Sequence, residues 1–460
     1  MIRIINCARG GSTPATPASP RLRRVRALLL IAACGASLAG AGWCDAGGIV
    51  AGDRERPAPL SRTVVLVSFD GLRWDDPHRA GGVAFGRLQR EGISAGGLIP
   101  PFPASTFPAH ATLATGVYPD RHGIVANRFL DSERGEFRKE GDPSWLQSEP
   151  LWVTAERQGV TAAVAHWVFA GGPWQGTAAS IREPHRPEVP DGSKVDVIIE
   201  WLQLPMERRP GLIMSYLHGV DGRGHRHGPA SVEVDDAVRS LDRLVGRLLD
   251  AAAQSDGEIA LIVVSDHGMA AATRVHRLDR LLSGEAGRVR AFSSGGSANL
   301  YCPDEEACRA AGERLATIPS LGVFPFDALP PQLHYGRSGR TGDLVVVAPP
   351  GDLLLTGAPR GGAAGRGAHG YRPEEKEMWG VFFAWGAGLR AGIRVEPMRA
   401  VDVAPLVCRL LGIDAPRGID GRLRRDLLAA GSARRIAPVA ARGQQPDRRA
   451  GDVALPLAER

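Results

Sequence analysis

Six apolar runs recur along the chain: Val64–Phe69, Thr161–Ala165, Leu212–Leu217, Ile259–Ser265, Leu344–Ala348 and Val381–Trp385. Each is unbroken by polar alternation, so each reads as a strand buried on both faces. Between them, stretches such as Leu151 to Gln158 and Val232 to Ala253 put apolar residues near every third or fourth position, the helical period. Continuous strands alternating with helices predict an α/β fold: a doubly wound, mostly parallel sheet with helices on both faces. Outside the N-terminus no apolar run reaches the ~18–20 residues of a membrane-spanning helix, which excludes a helical membrane bundle.

The chemistry collects where these runs end. Asp70 follows the first run, the His218–Asp221–His225 segment follows the third, and Asp266-His267 follows the fourth. In open α/β sheets ligands sit beyond the C-terminal strand ends. Asp221 and His225 are four apart between glycines, a spacing that sets both on one side of a helical turn. His369 lies in another glycine-rich loop, Gly365 to Tyr371. Singly, each reads as a capped turn or a solvated loop. Together they offer three carboxylates and three imidazoles, donors that suit Zn²⁺ and also accommodate manganese or iron. The Pro-rich stretch Pro100 to His110 contains a nucleophile: Pro108 suits a first helical position, so Thr106 falls at a helix N-terminus, where N–H groups favour an anion. On this segment alone Thr106 reads equally well as a simple N-cap, and Ser105 is the alternative hydroxyl.

These residues resemble the nucleotide pyrophosphatase/phosphodiesterase branch of the alkaline phosphatase superfamily. The likeness runs from about residue 62 to 415. It is carried in order by Val67-Ser68-Phe69-Asp70-Gly71-Leu72-Arg73, Thr106-Phe107-Pro108 with His110, Thr115 to Val125, Asn127, Pro150 to Glu156, the Asp221/His225 loop, Ser265 to Met269, and His369-Gly370-Tyr371. The resemblance implies an alkaline phosphatase-like fold with loop or cap insertions and two Zn²⁺ per chain. It assigns Asp221, His225 and His369 to one metal, and Asp70, Asp266, His267 and the Thr106 hydroxyl to the other. Thr106 would be the nucleophile, passing through a phosphothreonine. Asn127 and the Thr106 backbone N–H would hold a nonbridging phosphate oxygen. Phe107 and Trp174 would flank a nucleobase, whereas Trp167 reads as core. His110 and His122 match no ligand position and are assigned to packing or hydrogen bonding, while His218 and His227 are near-misses beside Asp221.

A neutral Asn127 facing the phosphate favours a singly charged diester over a monoester dianion, which needs extra cationic charge. The expected reaction is therefore hydrolysis of a phosphodiester or pyrophosphate bond, releasing a nucleoside 5′-monophosphate. The alternatives are a phosphomonoesterase or phospholipid-type diesterase on the same site, in which Arg73 or Arg128 would matter, and a secreted metal- or ligand-binding protein without catalysis. Ala109 and Ala111 depart from the family's usual asparagine and aromatic residue, and bear on nucleotide preference rather than on the metals.

Charge changes the picture only at the ends. Six arginines lie in residues 1–46 and six in 431–460, so the body is close to neutral despite a chain total of +6. A nucleic-acid-binding patch is thereby excluded from the body. Arg21 to Arg26 leads into Ala27–Ala33 and then small residues, the layout of an export signal. The expected organisation is a leader over 1–46, a catalytic domain over 47–430 and a basic, disordered tail over 431–460. The destination is periplasmic or secreted, with either a lipid anchor on Cys34 or cleavage after Ala41 or Ala46. Cys302 and Cys308, six apart, are either a small disulfide loop of an oxidising compartment or two free thiols, and Cys408 reads as a buried hydrophobe. Oligomeric state is not encoded in any pattern found here.

Overall fold

The computed structural model describes residues 62–139, 141–284, 288–358 and 366–431. The leader, Cys34 and the tail from residue 432 lie outside the described residues. The main sheet contains β1 (Arg62–Phe69), β2 (Ile93–Ala95), β3 (Ala162–Ala165), β4 (Ile181–Glu183), β5 (Leu212–Leu217), β6 (Glu258–Ser265), β7 (Phe382–Gly386) and β8 (Ile393–Val395). Their spatial order is β8-β2-β7-β6-β1-β5-β3-β4. Only β7 runs antiparallel to its neighbours β6 and β2.

Alternate residues of the central strands feed two separate cores, which explains the unbroken apolar runs. Val64, Leu66, Leu212, Met214, Tyr216, Ile262 and Val264 face one core. Val65, Val67, Phe69, Ile213, Leu217, Leu261 and Val263 face the other. Removing each such aliphatic side chain from water is worth about 1.5–3 kcal/mol, so a polar residue on either face would be costly. The second core is covered by α1 (Val83–Glu91), α4 (Asp191–Leu202) and α6 (Val232–Gln254). The first is covered by α2 (Thr106–Thr115), α3 (Leu151–Arg157) and α7 (Val403–Leu411). The doubly wound expectation holds. α1 is started by a long-range cap: buried Asp242 of α6 accepts the Val83 and Phe85 N–H groups at 2.9 Å each. Such caps contribute about 0.5–2 kcal/mol.

Two readings of the apolar runs need correction. Leu344–Val347 does not join the main sheet. It pairs with Ser297–Tyr301 and Gly322–Pro325 in a four-stranded sheet that also takes Arg290–Ser293. Together with helix Glu305–Ala316 that sheet has a core of its own. The Val381 run does join the main sheet, but antiparallel. Cys302 and Cys308 form a disulfide at the edge of the smaller sheet, with Cα atoms 5.2 Å apart. Cys408 is free and buried, as expected.

Candidate active site

The site follows from register. β6, β1 and β5 are adjacent and parallel, and Ser265, Phe69 and Leu217 stand level at their C-terminal ends. Asp266, Asp70 and the segment leading to α5 (Asp221–His227) therefore leave the sheet side by side. The loops after β1 and β5 interlock. Asp70 O accepts the N–H groups of Val220 and Asp221 at 3.0 and 3.2 Å. Gly71 and Gly219 both adopt positive φ; a Cβ on Gly71 would lie 2.8 Å from Asp221 Cα, and one on Gly219 would lie 2.5 Å from Asp70 O. Only glycine meets both demands.

All six expected acidic and imidazole groups converge. Asp70, Asp266 and His267 place ligand-competent atoms within 4.8 Å of one another, and so do Asp221, His267 and His369. His225 Nε2 joins the second group, 3.2 Å from Asp221 Oδ1. The geometry differs from a strict three-plus-three partition in one respect: His267 lies within reach of both groups. Its ring stacks on that of His369 with centroids 3.9 Å apart.

Hydrogen bonds fix how these imidazoles face. The Nδ1 atoms of His225, His267 and His369 lie 2.9, 2.9 and 3.0 Å from the carbonyl oxygens of Gly367, Gly268 and Ala104. Each Nδ1–H donates to backbone, which turns Nε2 towards the centre, where that of His225 meets Asp221. The carboxylates complement this: Asp70 Oδ1 and Asp266 Oδ2 are buried and accept no hydrogen bond, and Asp221 Oδ1 faces His225 Nε2 at 3.2 Å. Orphaned anionic oxygens packed beside imidazole lone pairs fit a cation set and little else. The remaining carboxylate oxygens are held from behind. Tyr216 donates its hydroxyl to Asp70 Oδ2 at 2.5 Å, and Asp266 Oδ1 accepts from Gly71 N and His267 N at 3.1 and 2.9 Å.

The electrostatics express the same crowding. Burial, then the charges of Asp266 and Asp221, raise Asp70 well above the carboxylate range. Burial is also the main cause lifting Asp266 to about 8. For Asp221 burial is outweighed by the hydrogen bond and charge of His225, which hold it below its usual value. Asp221 in turn overcomes burial to lift His225 to about 9. Burial, followed by His267 and His225, lowers His369.

Thr106 opens α2 and faces this set, its Oγ1 3.4 Å from His267 Nε2. The helix begins two residues before the expected Pro108, which sits in its first turn, where the missing N–H has no intrahelical partner to lose. Ser105 Oγ is fully buried and unpartnered. Asn127 Oδ1 accepts the Phe107 N–H at 2.9 Å, which fixes its carboxamide beside the helix start and leaves its NH₂ free to donate. Phe107 and Trp174 are 4% and 7% exposed and belong to the core. Phe107 packs edge-on against Phe137 and Phe169. Trp174 spends its N–H on Leu146 O and lies under Arg157. Neither ring presents the open face that a base-stacking wall needs.

Trp167 is core, as expected, edge-on to His110. His110 donates to Thr106 O at 2.8 Å, and His122 bonds Thr112 Oγ1 at 3.0 Å, the packing and hydrogen-bonding roles assigned to them. His227 Nδ1 lies 3.4 Å from Glu233 Oε1, and His218 Nδ1 lies 3.1 Å from Lys194 Nζ, away from the ligand groups. Arg73 and Arg128 are engaged by Asp75 and Glu136. Sequence reasoning missed Tyr216, which passes for one more apolar residue in β5; its register beside Ser68, two residues before Asp70, was the available signal.

Comparison with known proteins agrees with this geometry. Residues 64–372 match the family model for type I phosphodiesterase / nucleotide pyrophosphatase. Ectonucleotide pyrophosphatase/phosphodiesterase family member 1 of Mus musculus is 30% identical over 386 residues, covering 78% of this chain and 42% of the relative. Family member 7 of Homo sapiens is 29% identical over 387 residues, covering 78% of this chain and 82% of the relative. The chain thus spans about two fifths of the length of the mammalian family member 1 proteins. The solved structure of murine ectonucleotide pyrophosphatase/phosphodiesterase 5, an inactive threonine-to-alanine variant in complex with AMP, superposes with a TM-score of 0.75 at 28% identity, covering 80% of this chain and all of that one. The chain belongs to the type I phosphodiesterase / nucleotide pyrophosphatase family.

Proposed function

We propose that this protein is an exported, metal-dependent phosphodiesterase/nucleotide pyrophosphatase that uses Thr106 as its nucleophile and releases a nucleoside 5′-monophosphate. The observation that carries the proposal is the buried Thr106 hydroxyl at a helix N-terminus, against a set of orphaned carboxylate oxygens and bare imidazole nitrogens. Asp70, Asp266, His267 and Thr106 would hold one Zn²⁺, and Asp221, His225 and His369 the other. When bound, two such cations supply Lewis acidity that neutralises charge developing on the phosphoryl oxygens. The protein contributes the rest. Thr106 gives up its hydroxyl proton to solvent and its Oγ1 attacks phosphorus in line; the bond from phosphorus to the leaving oxygen breaks, and the alcohol or phosphate departs with that electron pair. The phosphothreonine is then hydrolysed by water from the vacated side, so two inversions give net retention at phosphorus. The Asn127 NH₂ and the Thr106 N–H at the start of α2 donate to a nonbridging oxygen. The relative that binds AMP, rendered inactive by loss of a threonine hydroxyl, supports both the nucleotide and the nucleophile. The Cys302–Cys308 disulfide supports an oxidising compartment, and with it export of a catalytic domain spanning residues 47–430.

The test is a substrate pair on zinc-loaded protein: the p-nitrophenyl ester of thymidine 5′-monophosphate against p-nitrophenyl phosphate. The diester is expected to be the better substrate, because Asn127 is neutral and Arg73 and Arg128 are engaged elsewhere. Equal kcat/KM for the two would overturn the diester assignment. Asn127→Ala is expected to keep its metal and lose about 2–4 kcal/mol of transition-state stabilisation, read as kcat with metal analysis alongside. An unchanged kcat removes Asn127 from the site.

A further inference from the structure

Beside the centre, at the C-terminal ends of β3, β4 and β5, lies a second group of imidazoles that the proposed reaction does not use: His166, His185 and His218, with Lys194 behind them. Lys194 is fully buried, its Nζ 3.1 Å from His218 Nδ1, 3.3 Å from Tyr216 O and 3.6 Å from Asp191 Oδ1. Tyr216 joins the two groups. Its hydroxyl holds Asp70, while its ring lies 5.4 Å from the ring of His185 and 5.5 Å from that of His218.

The partners of His166 and His218 set tautomers opposite to those of the proposed metal ligands, whereas His185 Nδ1–H donates to a backbone carbonyl. His166 Nδ1 accepts the Arg186 N–H at 3.3 Å, and His218 Nδ1 accepts from the Lys194 ammonium. Both rings therefore carry their proton on Nε2, and a protonated Nε2 donates to an oxygen rather than ligating a cation. Among the described residues, the groups of three that are competent to bind a cation are those of the centre, and none of these histidines is in them. His218 Nε2–H is without a hydrogen-bond partner in the structure. A buried ammonium on the far nitrogen polarises it into a strong donor. Burial, then Lys194, bring His166 down to about 4, so it stays a neutral donor at physiological pH.

The backbone is committed to this arrangement. His166 has φ of 60°, a left-handed conformation that costs a non-glycine residue free energy and is retained where something aims the side chain. Three hydrogen bonds clamp it to the 183–186 segment: His166 N to Glu183 O at 2.8 Å, His185 Nδ1 to His166 O at 3.0 Å, and the Arg186 N–H already described. Arg182 and Arg186 are exposed there, with Glu183 and Glu188 of the same stretch carrying the opposite charge.

We propose that His166 and His218, backed by Lys194, form a subsite for a second phosphoryl group of the substrate, one carried beyond the scissile phosphorus. The inference rests on the diesterase reading above and narrows its substrate class. One tyrosine ring separates the subsite from Asp70, which suits a phosphate joined through a sugar rather than one bonded directly by an anhydride. The favoured substrate is a nucleoside 5′-diester that also bears a phosphate on its sugar.

The test compares thymidine 5′-(p-nitrophenyl phosphate) with its 3′-phosphorylated form on zinc-loaded enzyme. In the wild type the added phosphate is expected to raise kcat/KM about tenfold, mainly through KM. His218→Leu and His166→Leu should bring the ratio of the two substrates close to one, and His218→Gln, which keeps an N–H donor, should restore part of it. A wild-type ratio of one or less overturns the proposal without any variant, and so does an unchanged ratio in folded His218→Leu. If the parent diester is cleaved by wild type and not by Thr106→Ala while the ratio stays at one, the subsite fails and the diesterase reading stands. Cleavage of neither substrate removes both.

Discussion

Thr106→Ala is expected to lower kcat/KM for a nucleotide diester by about 10³-fold or more while leaving bound zinc close to the wild-type content. The reasoning is geometric. Thr106 is the first residue of α2, its hydroxyl faces His267, and the N–H groups at the helix start can receive the anion it attacks. Alanine keeps the helix start and removes only the hydroxyl. The metal loses at most one of its donors, so content and rate should separate. Thr106→Ser should retain measurable turnover, because the hydroxyl survives the change. Stopped-flow release of p-nitrophenol with metal analysis on the same sample reads both quantities. A Thr106→Ala protein with a tenth of the wild-type rate would refute the assignment, and Ser105→Ala would then show whether the neighbouring hydroxyl acts instead.

Stripping the metal is expected to expose a carboxylate contribution to stability that runs opposite to ordinary acid denaturation. Without a cation, Asp70 and Asp266 are held above their unfolded values, Asp266 at about 8, by burial and mutual repulsion. A carboxyl with a raised folded pKa binds more protons folded than unfolded, so it favours the fold at low pH. That advantage disappears as pH rises through the folded value. Burial acts the other way on His110, His122, His166 and His369, which it lowers and which therefore favour the fold as pH rises, so the carboxylate contribution is read against a variant: between pH 5 and pH 8 chelated wild type should lose more Tm, or gain less, than chelated Asp70→Asn. Zinc-loaded protein should not follow that trend, and excess zinc should raise Tm as binding to the native state requires. Asp70→Asn adds a crossing test: it should raise Tm in chelated protein at pH 8, where it relieves repulsion, and lower it in zinc-loaded protein, where it removes a ligand. Calorimetry at the two pH values measures all of this. Equal pH dependence in chelated wild type and chelated Asp70→Asn would show that the carboxylates are not crowded as described.

The two-core sheet was legible because its central strands are long and apolar on both faces, and a five- to eight-residue run carries enough pattern to read. The short strands Ile93–Ala95, Ile181–Glu183 and Ile393–Val395 were not legible, since three residues define no period. Nor does an apolar run name its partner. Leu344–Val347 has the composition of a central strand, yet its hydrogen bonds go to Ser297–Tyr301 and Gly322–Pro325. At the site, the acidic and imidazole residues stood out because polar groups directly after apolar runs are conspicuous. Their division between two metals came from family resemblance and not from spacing. The second imidazole group was invisible as a group, because His166, His185, Lys194 and His218 come from four separate segments. His218 drew notice only as a near-miss ligand, and a ring's tautomer depends on neighbours that the linear sequence does not reveal. Phe107 illustrates the converse: its place next to Thr106 suggested a stacking wall, whereas two further phenylalanines close over it.

The loop bearing His369 is gripped from two directions. Gly370 N donates to Ala104 O at 2.7 Å on the nucleophile side, and Gly296 N donates to His369 O at 2.8 Å from the turn of the smaller sheet. A Cβ on Gly370 would come within 1.9 Å of Ser294 O, so that contact leaves no slack. The outlying sheet is accordingly no detachable lobe. Anyone trimming this chain to a minimal scaffold must carry Arg290–Tyr301 along, and damage far out on that sheet should surface as weakened metal retention before any loss of fold.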